Sequence, residues 1–267
     1  MTPPAKFALL VGINRYPETP LHGCVNDVMD MAQLLTSVYG FEKKNITLLL
    51  DERATTGEMT ATLKKLTRRL SAGDQLVFHY SGHGAQIPSA YEDDGLDEII
   101  CPIDFDWTSS HLIRDKDFKA IFQFINLGAN LIWISDSCHS GDLSKDLVKN
   151  SFRGRFLTPP PDINWDLEAL KESKAAPELG MGKALKAQGA TLFAACRDHQ
   201  TADDATFGKN NRPNGAFTYF LLQELKKKTL PLNKILANVR ASLKKAGFKQ
   251  VPKLEGNTGN FTKPFIW

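Results

Sequence analysis

The chain contains 267 residues, of which 42% are hydrophobic and 24% are charged, a composition that supports one large domain with its own buried core. The formal net charge of +3 is too small to indicate a polynucleotide-binding surface. Because the first apolar run, 7–13, is also too short to cross a membrane, we predict neither a nucleic-acid partner nor a membrane partner.

Strand-length apolar runs alternate with segments of helical periodicity along the chain. The predicted strands cover residues 6–13, 45–50, 75–81, 130–136 and 190–195. The predicted helices cover residues 25–38, 56–70, 115–127, 216–227 and 232–245. Strands separated by helices predict right-handed crossovers, so we expect an α/β fold with a mostly parallel central sheet and helices on both faces.

One connection, 145–186, interrupts this alternation. It contains the tripeptide Arg153-Gly154-Arg155 and three consecutive prolines at 159–161, which are typical of a loop. A long irregular connection in a compact domain is usually functional or mobile, although a plain surface insertion would look the same in the sequence.

Two of the predicted strands end at residues that can carry out covalent catalysis. Strand 75–81 is followed by His83, and strand 130–136 is followed by Cys138. Because buried parallel strands present their carboxyl ends at one edge of a sheet, we expect the imidazole and the thiol to lie in the same crevice. A cysteine hydrolase needs at least these two groups, a thiol as nucleophile and an imidazole as base.

The residues around His83 suit that chemistry. A thiol with a pKa of about 8.5 is mostly protonated at neutral pH, so a nearby imidazole must accept its proton and later protonate the leaving amine. Gly82 and Gly84 allow the backbone to turn sharply beside the imidazole. We predict that His83 and Cys138 are catalytic and that the backbone N–H groups of Gly84 and Cys138 form an oxyanion hole.

A metal site is the alternative use of this cluster, since His79, His83, Cys138 and His139 offer nitrogen and sulfur ligands. Consecutive residues of an extended chain point to opposite sides, which separates Cys138 from His139. The sequence therefore predicts no metal site here.

The two strand ends also resemble a known family. The segments YSGHG at 80–84 and DSCHSG at 136–141 are similar to the His and Cys boxes of metacaspases and bacterial orthocaspases, within the caspase-like clan. Cys138 follows His83 by 55 residues, close to the spacing of about 50 in caspases. Further matching segments are 21–27, 195–202 and 215–218, so the resemblance covers nearly the whole chain.

The resemblance implies a caspase-like three-layer fold in a single catalytic domain, 1–267. Within it we expect a large-subunit-like region at about 1–150, a linker at about 151–186 and a small-subunit-like region at about 187–267. It also implies a cysteine endopeptidase that cuts protein or peptide substrates after Arg or Lys. A catalytically idle caspase-like module that binds partners is the alternative function.

Specificity for basic residues is implied at three positions. Asp27, Ser81 and Asp136 match the pocket in which metacaspases hold an Arg or Lys side chain. Asp136 precedes Cys138 by two residues, so alternation along an extended chain places both on one side. Buried carboxylates favour a guanidinium or ammonium group and repel an acidic residue. Without the resemblance, Asp27 would equally fit a charge at a helix N-terminus.

Self-processing is the second implied property. In the family, the connection between the two subunit-like regions often carries the self-processing site. Arg153 and Arg155 lie in that connection and offer the basic residue that an acidic pocket selects. We therefore expect autocatalytic cleavage of a zymogen after Arg155 or Arg153.

No cofactor is expected to be required, although calcium is an alternative because many metacaspases are activated by it. The loop 92–98 is acidic, and Asp97 and Asp115 match acidic positions of the family's calcium site. Arg114 and Lys145, however, stand where that site has further acidic residues. Replacing two carboxylates by two cations weakens divalent binding.

The cysteine content indicates a reducing compartment. The four cysteines lie far apart in the sequence, without the spacing of a disulfide framework, and a reactive thiol has to stay reduced. The N-terminal run has no cleavage site for a secretory leader. We therefore expect a cytoplasmic protein, acting as a monomer. The cysteines are Cys24, Cys101, Cys138 and Cys196.

Overall fold

The computed structural model describes residues 3–88, 96–138, 153–160, 185–186, 189–197, 200–208 and 210–267. The strands of this part are β1 Lys6–Gly12, β2 Ile46–Leu50, β3 Gln75–Ser81, β4 Gly84–Pro88, β5 Leu96–Ile100, β6 Ile113–Arg114, β7 Asn130–Asp136, β8 Arg153–Gly154, β9 Thr191–Ala194, β10 Asp203–Phe207, β11 Arg212–Gly215 and β12 Lys253–Gly256. Its main helices are α1 Cys24–Ser37, α2 Thr56–Arg69, α3 Asp115–Phe122, α4 Ala216–Leu225 and α5 Leu232–Lys245.

Six strands form the central sheet, in the order β12-β9-β7-β3-β1-β2. The five strands from β9 to β2 run parallel, and β12 is antiparallel to β9 at one edge. Every residue of β3 and β7 is buried, as expected for strands covered on both faces. The prediction of a mostly parallel α/β sheet is confirmed.

Helices cover both faces of this sheet, because each strand alternates its side chains between two apolar cores. Phe78 and Trp133 belong to one core, which packs against α2 and α3. Their neighbours Val77 and Ile132 belong to the other core, which packs against α1, α4 and α5. The period of two along the strands thus produces three layers.

Two smaller antiparallel sheets lie beyond the predicted elements. One has the strand order β4-β5-β6, and it begins directly after His83. The other has the order β11-β10-β8, and it joins the connection 145–186 to the last third of the chain. These strands are two to five residues long, which leaves little room for an apolar pattern.

Helix α3 is shorter than predicted. Its apolar pattern continues to Leu127, but the helix ends at Phe122 and the following residues form tight turns. Phe124 and Leu127 are exposed, since the chain turns there toward β7 instead of continuing along the core. Among the described helices, none combines the length and apolar character needed to cross a bilayer.

Candidate active site

The carboxyl ends of β3 and β7 meet at one edge of the sheet. The two strands are adjacent and parallel, with Ser81 paired to Asp136 at their last residues. His83 and Cys138 each follow two residues beyond that pair. The structure therefore brings the predicted imidazole and thiol to the same edge.

A pair of buried tyrosines fixes the backbone of His83. The His83 N–H donates to Tyr16 Oη over 3.0 Å, and Tyr80 Oη donates to the His83 carbonyl over 2.6 Å. The Tyr16 ring also lies 4.5 Å from the His83 ring. A side chain at Gly82 would place its Cβ 2.6 Å from Tyr16 Oη, so only glycine fits at this turn.

The proton positions on His83 follow from its one hydrogen-bonded ring nitrogen. Nε2 lies 2.7 Å from the Thr19 carbonyl oxygen, which can only accept, so Nε2 carries the proton. Nδ1 is buried and makes no hydrogen bond to the residues that the structure describes. Burial lowers the pKa of His83 to about 4, against the raising effect of the Thr19 carbonyl. The ring is therefore neutral near pH 7, with a free lone pair on Nδ1.

The thiol of Cys138 is fully buried beside the chain segment before β10. The Ala202 N–H donates to Cys138 Sγ, and Sγ lies 3.6 Å from the Ala202 carbonyl oxygen. No hydrogen bond joins Sγ to the His83 ring, although both residues lie in the described part. The two side chains share the edge of the sheet without direct bonding in this state.

Arg155 from the connecting segment is inserted at this edge. Its carbonyl oxygen accepts a hydrogen bond of 3.0 Å from the N–H of Gly84 and one of 3.2 Å from the N–H of Cys138. These are the two N–H groups that the sequence predicts as an oxyanion hole. They converge on a backbone carbonyl, which is the kind of group that such a hole binds.

The side chain of Arg155 is completely buried in an acidic pocket. One guanidinium nitrogen lies 2.8 Å from Asp27 Oδ2, and the other lies 2.7 Å from Ser81 Oγ and 3.2 Å from Asp136 Oδ1. The three residues predicted to bind substrate are thus brought together around one arginine. Since both carboxylates are fully buried, this ion pairing takes place away from water.

A fourth pocket residue, Asp204, was missed by the sequence analysis. Its Oδ1 lies 3.0 Å from the Arg155 guanidinium, and its carboxylate also accepts from the backbone N–H groups of His22 and Gly23. Asp204 follows Asp203 at the start of β10, and two adjacent acidic residues are typical of a solvent-exposed surface. No local signal in the sequence identifies its partner, which lies 49 residues away.

The segment 215–218, matched by resemblance without an assigned role, holds the pocket carboxylates in place. The Gly215 N–H donates to Asp27 Oδ1 over 2.9 Å, while Thr218 donates its N–H and its hydroxyl to Asp136 Oδ2 over 3.0 and 2.6 Å. A Cβ at Gly215 would lie 2.3 Å from Asp136 Oδ2 and 2.6 Å from the Arg155 guanidinium. Glycine is therefore needed where the pocket wall meets the arginine.

The pocket carries more negative than positive charge. Burial raises the pKa of Asp27 to about 6, the Arg155 guanidinium opposes that shift, and the nearby Asp136 adds to it. Three carboxylates surround one guanidinium, so the pocket stays negatively charged when it holds one monovalent cation.

Some predicted residues fall outside this geometry. Arg153 pairs with Asp204 through the backbone of β8, and its side chain is not among those described. The acidic loop is described only from Leu96 onward, and Lys145 lies outside the described residues. Within the described ranges, no group of three or more His, Cys, Asp or Glu side chains could hold a metal ion.

Comparison with known proteins assigns the chain to a family. A family model for the caspase domain of peptidase group C14 matches residues 5–264. The chain belongs to the caspase-domain family. The metacaspase-8 of Arabidopsis thaliana is 41% identical over 166 residues, which cover 58% of this chain and 42% of that protein. The chain thus spans less than half the length of this curated relative.

Solved structures show the same caspase-domain fold. Protein GSU0716 from Geobacter sulfurreducens matches with a TM-score of 0.74 at 24% identity and covers 98% of both chains. Caspase-1 from Spodoptera frugiperda matches with a TM-score of 0.57 at 11% identity and covers 95% of this chain and 86% of that chain. The α/β architecture described above is therefore a caspase-like fold.

Proposed function

We propose that this caspase-domain chain is a cysteine endopeptidase that cleaves after arginine or lysine, and that its first substrate is its own Arg155. One observation carries the proposal. The Arg155 side chain fills the acidic pocket while its carbonyl oxygen accepts from Gly84 N and Cys138 N. A substrate must satisfy the specificity pocket and the oxyanion donors at once, and this segment does so.

The first chemical step forms a tetrahedral intermediate. His83 Nδ1 accepts the proton of the Cys138 thiol, and the sulfur attacks the carbonyl carbon of Arg155. The negative charge that develops on the carbonyl oxygen is stabilised by the two backbone N–H groups that already bind it. The Thr19 carbonyl keeps Nε2 as the donor side of the ring, which leaves Nδ1 as the base.

The second step breaks the peptide bond and releases the enzyme. His83 returns its proton to the amide nitrogen of Phe156, the bond between Arg155 and Phe156 breaks, and Arg155 remains as a thioester on Cys138. Water then attacks the thioester while His83 takes a proton from the water, the C–S bond breaks, and His83 returns that proton to the sulfur. The products are a carboxylate at Arg155, an amine at Phe156 and the free thiol.

The charge of the pocket explains the proposed preference. A lysine ammonium or an arginine guanidinium partly neutralises the carboxylates of Asp27, Asp136 and Asp204, which are otherwise buried together. An aspartate in the same place would add a further buried negative charge. We therefore propose that basic residues are selected and acidic residues are rejected.

The proposal predicts a single cut between Arg155 and Phe156. Purified wild-type chain should convert into two associated fragments, and terminal sequencing of the second should begin at Phe156. Arg155→Gln should prevent this cut because glutamine has no charge to offer the pocket. Such a cut would fall within the linker 151–186 and would make the intact chain a zymogen.

Arg153→Gln is the matched control, since it removes a positive charge two residues away. This variant should still cut after Arg155. Cleavage that continues unchanged in Arg155→Gln would contradict the assignment of the processing site. A chain that stays intact and inactive toward Arg and Lys peptides would favour the partner-binding module instead.

A pH dependence follows from the raised pKa of Asp27. A carboxyl with a raised pKa loses its charge as the pH falls, so the affinity for a basic residue is present above the pKa and weakens below it. With the pKa at about 6 while Arg155 is bound, the empty pocket titrates at or above that value. The preference for Arg over its neutral isostere citrulline should therefore weaken as the pH falls through the titration of the empty pocket, and it should level off below about 6, where Asp27 is protonated even with arginine bound.

The ratio of kcat/KM for paired arginine and citrulline peptides isolates this effect. Protonation of His83 affects both peptides equally and cancels in the ratio. A ratio that stays constant between pH 5 and pH 8 would show that the ionisation of the pocket does not control specificity.

A further inference from the structure

The docked segment makes backbone contacts on both sides of Arg155. The Arg155 N–H donates to the Ala202 carbonyl over 3.1 Å, and the Leu157 N–H donates to the Gly84 carbonyl over 2.9 Å. Gly154 pairs with Asp203 in the short sheet of β8 and β10. These backbone contacts hold Gly154, Arg155 and Leu157, of which only Arg155 occupies the acidic pocket.

The two residues after Arg155 are apolar and partly buried. Phe156 packs against the core that faces α1, α4 and α5, whereas Leu157 packs against the core that faces α2 and α3. Adjacent residues of an extended chain point to opposite sides, so each side chain meets a different apolar surface. Burial of these groups adds favourable free energy that does not depend on the charge of Arg155.

The residue before Arg155 has little space. A Cβ built at Gly154 would lie 3.3 Å from Thr201 Cγ2 and 3.7 Å from Thr201 Cβ. Threonine is branched at Cβ and has few alternative rotamers, so it yields little to a larger neighbour. A branched residue in place of Gly154 would have to displace it.

Building on the proposed function, we propose that the enzyme recognises an extended peptide with a small residue, then a basic residue, then two apolar residues. The cut falls between the basic residue and the first apolar one. This substrate class is narrower than the class of all proteins with an accessible Arg or Lys. Polar residues after the cut would lack the apolar contacts that Phe156 and Leu157 make.

Quenched fluorogenic peptides test this with the self-processed enzyme. A peptide with the core Gly-Arg-Phe-Leu is compared with one in which Phe-Leu is replaced by Ser-Ser and one in which Gly is replaced by Val. We expect kcat/KM to fall about tenfold or more for the Ser-Ser peptide, from the lost apolar burial, and several-fold for the Val peptide.

An acyl-Arg-coumarin substrate separates the two levels of the proposal, because it has no amino acid after the cut. Hydrolysis of this substrate together with equal kcat/KM for all three peptides would overturn the extended recognition and leave the preference for arginine intact. Absence of hydrolysis for every arginine substrate would overturn the proposed function itself. The expected ranking of the three peptides would support both.

Discussion

Cys138→Ala is expected to abolish both self-cleavage and the hydrolysis of Arg and Lys peptides. In the proposed mechanism the sulfur is the atom that forms the acyl-enzyme, and alanine offers no nucleophile in its place, so the loss should be about 10⁴-fold or more. His83→Ala should be comparably inactive, because Nδ1 is the only base assigned to the thiol. Fluorogenic peptide assays and the integrity of the purified chain on denaturing gels measure both effects.

Cys101→Ala is the matched control for this variant. Cys101 is as fully buried as Cys138, but its thiol belongs to the apolar core, and its carbonyl oxygen accepts a hydrogen bond of 2.8 Å from Tyr16 Oη. It should retain activity, while thermal unfolding confirms that all variants are folded. Turnover above a few per cent of wild type in pure Cys138→Ala would reject the nucleophile, and Cys24 and Cys196 would then be tested.

Removing either central carboxylate of the pocket is expected to produce the second large effect. Asp27→Ala and Asp136→Ala each delete a charged partner of the bound guanidinium, an interaction worth about 1.5–3 kcal/mol. This corresponds to a loss of roughly 10–150-fold in kcat/KM for Arg substrates. Self-cleavage after Arg155 should slow in parallel, since the same pocket holds that residue.

Asp106→Ala serves as the control for charge removal. Asp106 is an exposed carboxylate that bonds Thr108 and His111 and makes no contact with Arg155. Its loss should leave kcat/KM unchanged. The pocket assignment fails if an Asp-terminated peptide is cleaved faster than the Arg-terminated one, or if Asp27→Ala and Asp106→Ala behave alike.

The central sheet could be predicted because its strands are buried on both faces. Such strands appear in the sequence as continuous apolar runs, and the predicted bounds of β3 and β7 coincide with the observed ones. Their carboxyl ends then fix where His83 and Cys138 lie. The order of strands and helices along the chain is therefore enough to bring His83 and Cys138 together, although they are 55 positions apart.

The residues that complete the site around Arg155 and His83 could not be predicted in this way. β10 begins with two aspartates and β11 contains a proline, so neither has the apolar alternation of a strand. Their pairing depends on contacts with distant segments, and the sequence contains no local record of those contacts. For the same reason, the roles of Asp204 and the Thr19 carbonyl could not be predicted. Their partners, Arg155 and His83, lie 49 and 64 residues away in the sequence.

The hydrogen bond between the Cys138 N–H and the Arg155 carbonyl closes a loop of the polypeptide chain. Only sixteen residues, 139–154, separate the two, so in the intact chain Arg155 is tethered at the place where it binds. Short tethers give effective concentrations on the order of millimolar. A free peptide must compete against that local concentration, whatever the dilution of the protein.

The proposed first cut is therefore expected to be unimolecular, with a half-time that does not change with protein concentration. The proposed latency would need no separate inhibitor, since the covalent connection itself keeps the pocket occupied. The proposed cleavage breaks the bond between Arg155 and Phe156, so Arg155 becomes a chain terminus that can dissociate from the pocket. Access for other substrates then depends on how fast that end dissociates.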